Sequence, residues 1–134
     1  MSIGLINKLK KQYKVISGKI SSFKIEHSCP HAWYGNSYGG FYVNPELIDE
    51  KSIVYSFGIG QDTSFDDTII SNHNCQVFGY DPTPKSIDWI ANRKDLSENF
   101  HFFPIGLGQK TEIAHFNLPK NKDHVSGSVI NHQN

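Results

Sequence analysis

The stretch with the clearest chemical potential is Ser56-Phe57-Gly58-Ile59-Gly60-Gln61-Asp62-Thr63, followed by Asp81 twenty-one residues after Gly60. Glycines at the end of a strand let the chain turn sharply and put no side chain in a ligand's way. A helix that begins just beyond them turns its N-terminal amides toward the same crevice. An acid at the end of the next strand can accept hydrogen bonds from both hydroxyls of a ribose. Gly58, Gly60 and Asp81 together therefore point to an adenosine nucleoside. A dinucleotide fingerprint runs G-x-G-x-x-G/A, but the third position here is Thr63, which serves close helix–strand packing less well. S-adenosylmethionine carries no pyrophosphate and uses the same glycine turn and ribose acid. It suits the motif better than a nicotinamide dinucleotide does. The plain alternative is a glycine turn with no ligand.

Other reactive side chains carry less. His27, Cys29 and His31 alternate, and His73 and Cys75 repeat that spacing. Imidazole and thiolate suit zinc, but this spacing matches neither C-x2-C nor H-x3-H, so no metal site is expected. Nothing orients a third group toward either cysteine, so a Cys/His nucleophile pair is not expected either. Two cysteines do not make a disulfide framework, and without a secretory signal free thiols in a reducing compartment are expected.

Local signals indicate the elements that position the glycine turn. Ile53–Phe57 is a short apolar run closed by glycine, the pattern of a buried parallel strand. Asp62-Thr63-Ser64 offers helix caps, and Ser64 with Asp67 resembles a capping box, so a helix is expected over about 64–72. Gln76–Tyr80 reads as a second strand ending at Asp81. Thr83-Pro84 starts a second helix that runs to about Asn92, with Ile87, Ile90 and Ala91 on its apolar side. Phe100–Phe103 is a third strand, closed by Pro104 and the Gly106-Leu107-Gly108 turn. Glu112–Phe116 alternates weakly and could form a hairpin strand, and residues 117–134 read as loop. This order implies βαβ units, a parallel sheet and helices on the faces of the sheet.

Before that unit the grammar differs. Leu5, Ile6, Leu9, Tyr13 and Ile16 fall near a helical period with lysines between them, so an amphipathic helix packed on the domain is expected rather than a membrane-surface helix. Residues 27–45 are loop-like and rich in aromatics and glycine. The chain thus divides into an extension over 1–52 and a partial cofactor-binding domain over 53–134.

Composition bounds the function classes. The 134 residues suit one domain, since domains run to roughly 150 residues. Thirteen basic and thirteen acidic residues cancel, which argues against a nucleic-acid partner and against a polybasic membrane patch. Aromatic content of 13% is enough to build a core, so global disorder is not expected. No apolar run reaches the roughly 20 residues of a membrane span, and a cytoplasmic setting is inferred from the missing signals.

Several of these segments combine into a resemblance. Trp33-Tyr34-Gly35, Gly39-Gly40-Phe41, Val54 through Asp62, Ser64-Phe65-Asp66 and Asp81-Pro82-Thr83-Pro84 resemble the FkbM-type methyltransferases, in the branch with the S-F-G-I-G-E-D-x-S-F-D signature. Trp89-Ile90 and Val125-Ser126-Gly127-Ser128 extend the likeness, which covers about 31 to 130. The resemblance implies a class I Rossmann-like fold and methyl transfer from S-adenosylmethionine to an oxygen of a small molecule or sugar. It widens the cofactor-contacting set to Ser56, Gly58, Gly60, Gln61, Asp62, Asp81 and Pro82. Gln61 stands where the branch usually has glutamate. It keeps the length and one acceptor but loses the charge, so affinity for a cationic group would fall. No catalytic base is indicated. His31, His73 and His101 are candidates whose plainer reading is structural.

The resemblance also implies missing parts. Only 74 residues follow Gly60, room for about two βαβ steps of more than 30 residues each. The acidic D-I-E-G segment of the family's fourth strand is absent. The expectation is the N-terminal half of the fold, three parallel strands with helices, carrying the ribose side of a cofactor site without its opposite wall. Ile53–Phe57 would then be an apolar edge strand open to self-pairing or to a partner, unless Phe41-Tyr42-Val43 covers it. Two other functional readings follow from the same residues: a non-catalytic half-domain that binds a partner through that edge, and an NAD-dependent oxidoreductase fragment.

Overall fold

A computed structural model describes residues 3–21, 26–113, His115 and Asn117. The first element is helix α1 (Ile3–Ile16), followed by a hairpin of β1 (Ala32–Tyr34) and β2 (Phe41–Val43). A 3-10 turn over Pro45–Leu47 leads into β3 (Ile53–Phe57), α2 (Ser64–His73), β4 (Gln76–Tyr80), α3 (Pro84–Ala91) and β5 (Phe100–Phe103). β3, β4 and β5 form one parallel sheet in that order, with Val54 beside Val77 and Val77 beside Phe100. The expected α/β class and three parallel strands are present. The Glu112–Phe116 alternation falls partly outside the described residues, and the described Glu112 and Ile113 are not in a strand. Val125–Ser128 lies outside them altogether.

The helix ends follow from their residues. Asp66 and Asp67 sit in the first turn of α2, where negative charge meets the positive end of the helix dipole. α2 ends on Asn74, whose φ of 53° is left-handed and whose N–H donates to the Ile70 carbonyl. Asparagine tolerates that conformation better than most residues, which makes it an effective stop. α3 starts with Thr83 as its cap and Pro84 in its first turn, as the sequence indicates.

Both crossovers step in the same direction across the sheet, and because such connections are right-handed almost without exception, both helices fall on the same face. Ile69 and Ile70 of α2 and Ile90 of α3 join Val77 and Phe100 in a single buried cluster. Helices on both faces are not seen among the described residues, because the strand order never reverses. Gly79 explains part of the packing. A Cβ there would lie 2.7 Å from Phe100 Cζ and 3.0 Å from Ile59 Cδ1. Gly79→Ala is expected to cost about 1–3 kcal/mol of stability through overpacking, read as a lower urea midpoint.

The opposite face of the sheet is aromatic. Tyr55 and Phe57 of β3, Phe78 and Tyr80 of β4 and Phe103 of β5 stack across the strands, with centroids 5.1 Å apart for Phe57–Tyr80 and 5.2 Å for Tyr80–Phe103. Tyr55 is 60% exposed, and Ile53 and Phe57 are exposed beside it. β3 is an edge strand of this sheet. Phe41–Val43 does not cover that edge by pairing. It pairs antiparallel with Ala32–Tyr34, Ala32 opposite Val43. The hairpin packs on α2 instead, through Phe41 against Phe65 and Tyr34 against His73. α1 differs from expectation too. Its apolar stripe is not buried: Leu5, Ile6, Leu9, Tyr13 and Ile16 are all exposed. No described helix is long and apolar enough to cross a membrane.

Candidate functional site

The loop after β3 takes its shape from two glycines with positive φ, 78° at Gly58 and 57° at Gly60. Those values favour glycine because L side chains clash there. Gly58 N–H donates to the Tyr80 carbonyl at 2.8 Å and so prolongs the β3–β4 ladder. Ile59, between the glycines, is buried in the core and anchors the loop. A Cβ on Gly58 would meet nothing within 4 Å, so the space before it is open.

Gly60 and Asp81 are brought into direct contact. Gly60 N–H donates to Asp81 Oδ2 at 2.8 Å. Asp81 Oδ1 accepts from the Thr83 N–H at 2.8 Å and the Thr83 hydroxyl at 2.6 Å. Asp81 is only 4% exposed. A carboxylate offers about four lone-pair sites, and three are used, so one remains on Oδ2. The acid that the sequence assigns to a ribose is therefore also the brace that holds the glycine loop against β4. Pro82, next in the chain, lies against Gly106, where a Cβ would come within 3.2 Å of Pro82 Cγ. That contact brings the loop after β5 to the rim of the same site.

Asp62 does a different job. Its Oδ1 accepts from the Ser64 N–H and its Oδ2 from Asn36 Nδ2, each at 2.8 Å. Burial pushes its carboxyl up, but the backbone and hydroxyl of Ser64 and the amide of Asn36 outweigh that and hold it below the usual value. Asn36 in turn accepts from the Tyr38 and Gly39 N–H groups. Asp62 thus ties the hairpin to the start of α2. The Gly35-Asn36-Ser37 turn signal marks Asn36 in the sequence, but its partner 26 residues away is not marked. Gln61 is exposed on the loop.

The capping box expected from Ser64 and Asp67 is not formed. Thr63 occupies the cap position without a side-chain cap bond, and its buried hydroxyl donates to Asp67 Oδ2 at 2.8 Å. The same hydroxyl accepts from Arg93 Nη1 at 3.0 Å. Arg93 also stands 3.5 Å from Asp67, grips Asp95 with two nitrogens and lies 4.9 Å from the Trp89 ring centre. The Asp95 hydrogen bond is the largest factor raising its pKa above the usual guanidinium value. Arg93→Ala is expected to cost about 1–2 kcal/mol, read by urea denaturation. Most of that comes from the Thr63 and Trp89 contacts, because Asp95 is largely exposed and screened by water.

Asp66 falls within the resembling motif but outside the candidate site residues read from the sequence. It is 2% exposed and its Oδ1 has no partner. Burial is the main cause that pushes its carboxyl up to about 6, the Ser56 hydroxyl opposes this, and the charges of Asp67 and Asp62 add to it. A signal was present in the spacing. Asp66 is three and four residues before Ile69 and Ile70, on the face of α2 that packs on the sheet.

The remaining candidates have structural partners. His31 Nδ1 is 3.0 Å from the Cys29 carbonyl, His73 Nε2 is 2.8 Å from the Tyr34 hydroxyl, and His101 Nε2 is 2.7 Å from Gln76 Oε1. His73 ends α2 and His101 is within β5, so neither stands at the glycine loop. Cys75 has no exposed surface, and burial raises its thiol pKa, which keeps it protonated. Among the described residues no group of three His, Cys, Asp or Glu side chains could hold a metal ion. A shallow concavity of about 460 Å³, lined by Asp49, Glu50, Ser71, His73 and Asn74 among others, lies at the N-terminal end of the strands. Ligands of parallel sheets bind at the other end. Comparisons with protein-family models, with curated proteins and with solved structures give no match.

Proposed function

We propose that the chain carries the adenosine-binding half of an S-adenosylmethionine-dependent methyltransferase acting on an oxygen of a small molecule or sugar. The observation that carries this reading is the direct bond between Gly60 and Asp81, at the C-terminal ends of two adjacent parallel strands. Ligands of such sheets bind at that end. The residues present fit the group on the ribose side. Open space lies before Gly58, Asp81 Oδ2 keeps one acceptor position, and Gln61 is exposed on the loop. S-adenosylmethionine supplies an electrophilic methyl carbon when bound. The chain's own part is to orient the ribose through Asp81 and to keep the loop rigid through Gly60. The setting proposed is cytoplasmic, supported by the two free cysteines, Cys29 and Cys75.

Calorimetric titration with S-adenosylhomocysteine tests this, with NAD as the control. Binding of the first and not of the second is expected. Gln61→Glu is expected to tighten binding several-fold without altering the fold, because position 61 is exposed and the added charge would attract the ligand's α-ammonium group. A folded protein with no heat of binding at millimolar ligand sinks the reading.

A second reading is a non-catalytic half-domain, favoured by the exposed β3 edge and aromatic sheet face. An NAD-dependent oxidoreductase is disfavoured by Thr63, which is buried and whose hydroxyl is committed to Asp67 and Arg93.

A further inference from the structure

Two apolar surfaces of this chain lack a cover among the described residues. One is the sheet face of Ile53, Tyr55, Phe57, Phe78, Tyr80 and Phe103, and the other is the α1 stripe, where Tyr13 is 66% and Ile16 86% exposed. Parallel sheets are stable when both faces are covered, and an amphipathic helix of 14 residues needs a surface for its stripe. α1 is about 21 Å long at 1.5 Å per residue, enough to cross three strands spaced roughly 4.8 Å apart.

The charges match as well as the shapes. Residues 1–25 hold six lysines and no acid, for +6, and residues 26–134 hold seven basic and thirteen acidic residues, for −6. The neutral total hides this asymmetry. It gives the helix a long-range attraction for the oppositely charged remainder of a chain.

We propose that a second copy of this chain covers both surfaces by reciprocal exchange, each copy's α1 lying on the other copy's aromatic sheet face. The stoichiometry favours a second copy over a foreign partner. Each chain offers one helix stripe and one sheet face, so a two-fold exchange satisfies all four surfaces and closes. The chain's own α1 leaves its own sheet face open in this structure, which makes the exchange the arrangement in which both are covered. The area is sufficient. Eleven partly exposed apolar side chains per copy, each losing on the order of 80–100 Å², give roughly 2,000 Å² in total, the range of a stable dimer.

Size-exclusion chromatography with light scattering on the full chain tests this, and the expected mass is about 30 kDa against 15.2 kDa for one chain. Two variants are then compared: Leu9→Asp with Tyr13→Asp on the helix, and Tyr55→Lys on the sheet. All three positions are exposed in the protomer, so circular dichroism should show it folded in both. Each variant alone should run as a monomer. Mixed together they should regain dimer, since one intact helix then meets one intact sheet. Higher salt should weaken the wild-type dimer. A monomeric wild type overturns the proposal. A monomer that sediments with phosphatidylserine vesicles would assign α1 to an anionic lipid surface instead. A dimer that survives the helix variants also overturns it and points to pairing through the β3 edge, and so does failure of the mixture to restore dimer.

Discussion

Asp66→Asn is expected to stabilise the protein at pH 7.5 by on the order of 2 kcal/mol, roughly 5–10 °C in Tm. The carboxylate is 2% exposed, one of its oxygens has no partner, and its pKa is pushed up to about 6. A rise from 3.8 to about 6 corresponds to about 3 kcal/mol, the ceiling on what removing the charge can return. Asparagine keeps the side chain's shape and avoids burying the charge. The sign of the pH dependence follows from linkage. The folded state binds this proton more tightly than the unfolded chain does, so the contribution of Asp66 is fully present below about pH 4 and is lost as pH rises through about 6. Tm measured from pH 4 to 8 should therefore show the two proteins converging at the acid end and the variant ahead above pH 7. An equal gap at every pH would show that shape, not ionisation, sets the difference. A buried carboxylate that costs stability beside a ligand loop is the kind of group that function retains.

Asp81→Ala is expected to have the largest effect of the opposite sign, a loss of about 3–5 kcal/mol. It removes the acceptor for three donors at once: the Gly60 N–H, the Thr83 N–H and the Thr83 hydroxyl. All three bonds are made to a nearly inaccessible carboxylate, so water cannot readily replace it. The urea midpoint should fall, and hydrogen exchange at the Gly60 amide should become fast. A loss below about 1 kcal/mol would mean that Asp81 does not brace the loop. The same result bears on the proposed function. Loss of S-adenosylhomocysteine binding in this variant would not separate a ribose contact from a collapsed loop. Gln61→Glu tests a ligand contact at the loop while leaving the Gly60–Asp81 brace intact, because its side chain is exposed.

The legible parts of this fold are the local ones. The runs at 53–57, 76–80 and 100–103 are bounded by glycine, aspartate and proline, and each is a strand. Thr83-Pro84 opens α3 as its chemistry requires. The end of α2 was one residue further than expected, because the stop is Asn74 in a left-handed conformation rather than a glycine or proline. Ser64 and Asp67 form no capping box because Asp67 accepts from Thr63 and Thr63 from Arg93, which arrives from beyond α3. Asp66 and Asp62 both look like first-turn acids in the sequence. Only the packing of β3 and of the hairpin tells them apart: one is buried against Ser56 and the other holds Asn36.

The β1–β2 hairpin lies in a stretch that reads as loop, but from Ile53 onward the order of strands and helices, their starts, and the spacing that sets Gly60 and Asp81 at matching strand ends are legible in the sequence. These are properties of short windows: periodicity of 2 or 3.6, and turn chemistry at single residues. The tertiary structure alone decided that Asp81 is largely consumed by Gly60 and Thr83, that both helices share one face, and that an aromatic face and the α1 stripe lie open. Those outcomes depend on strand order and crossover direction, which bring together residues 21 to 39 positions apart. A hydrogen-bond partner at that distance leaves no mark on the residues beside it, so no local window could have held the answer.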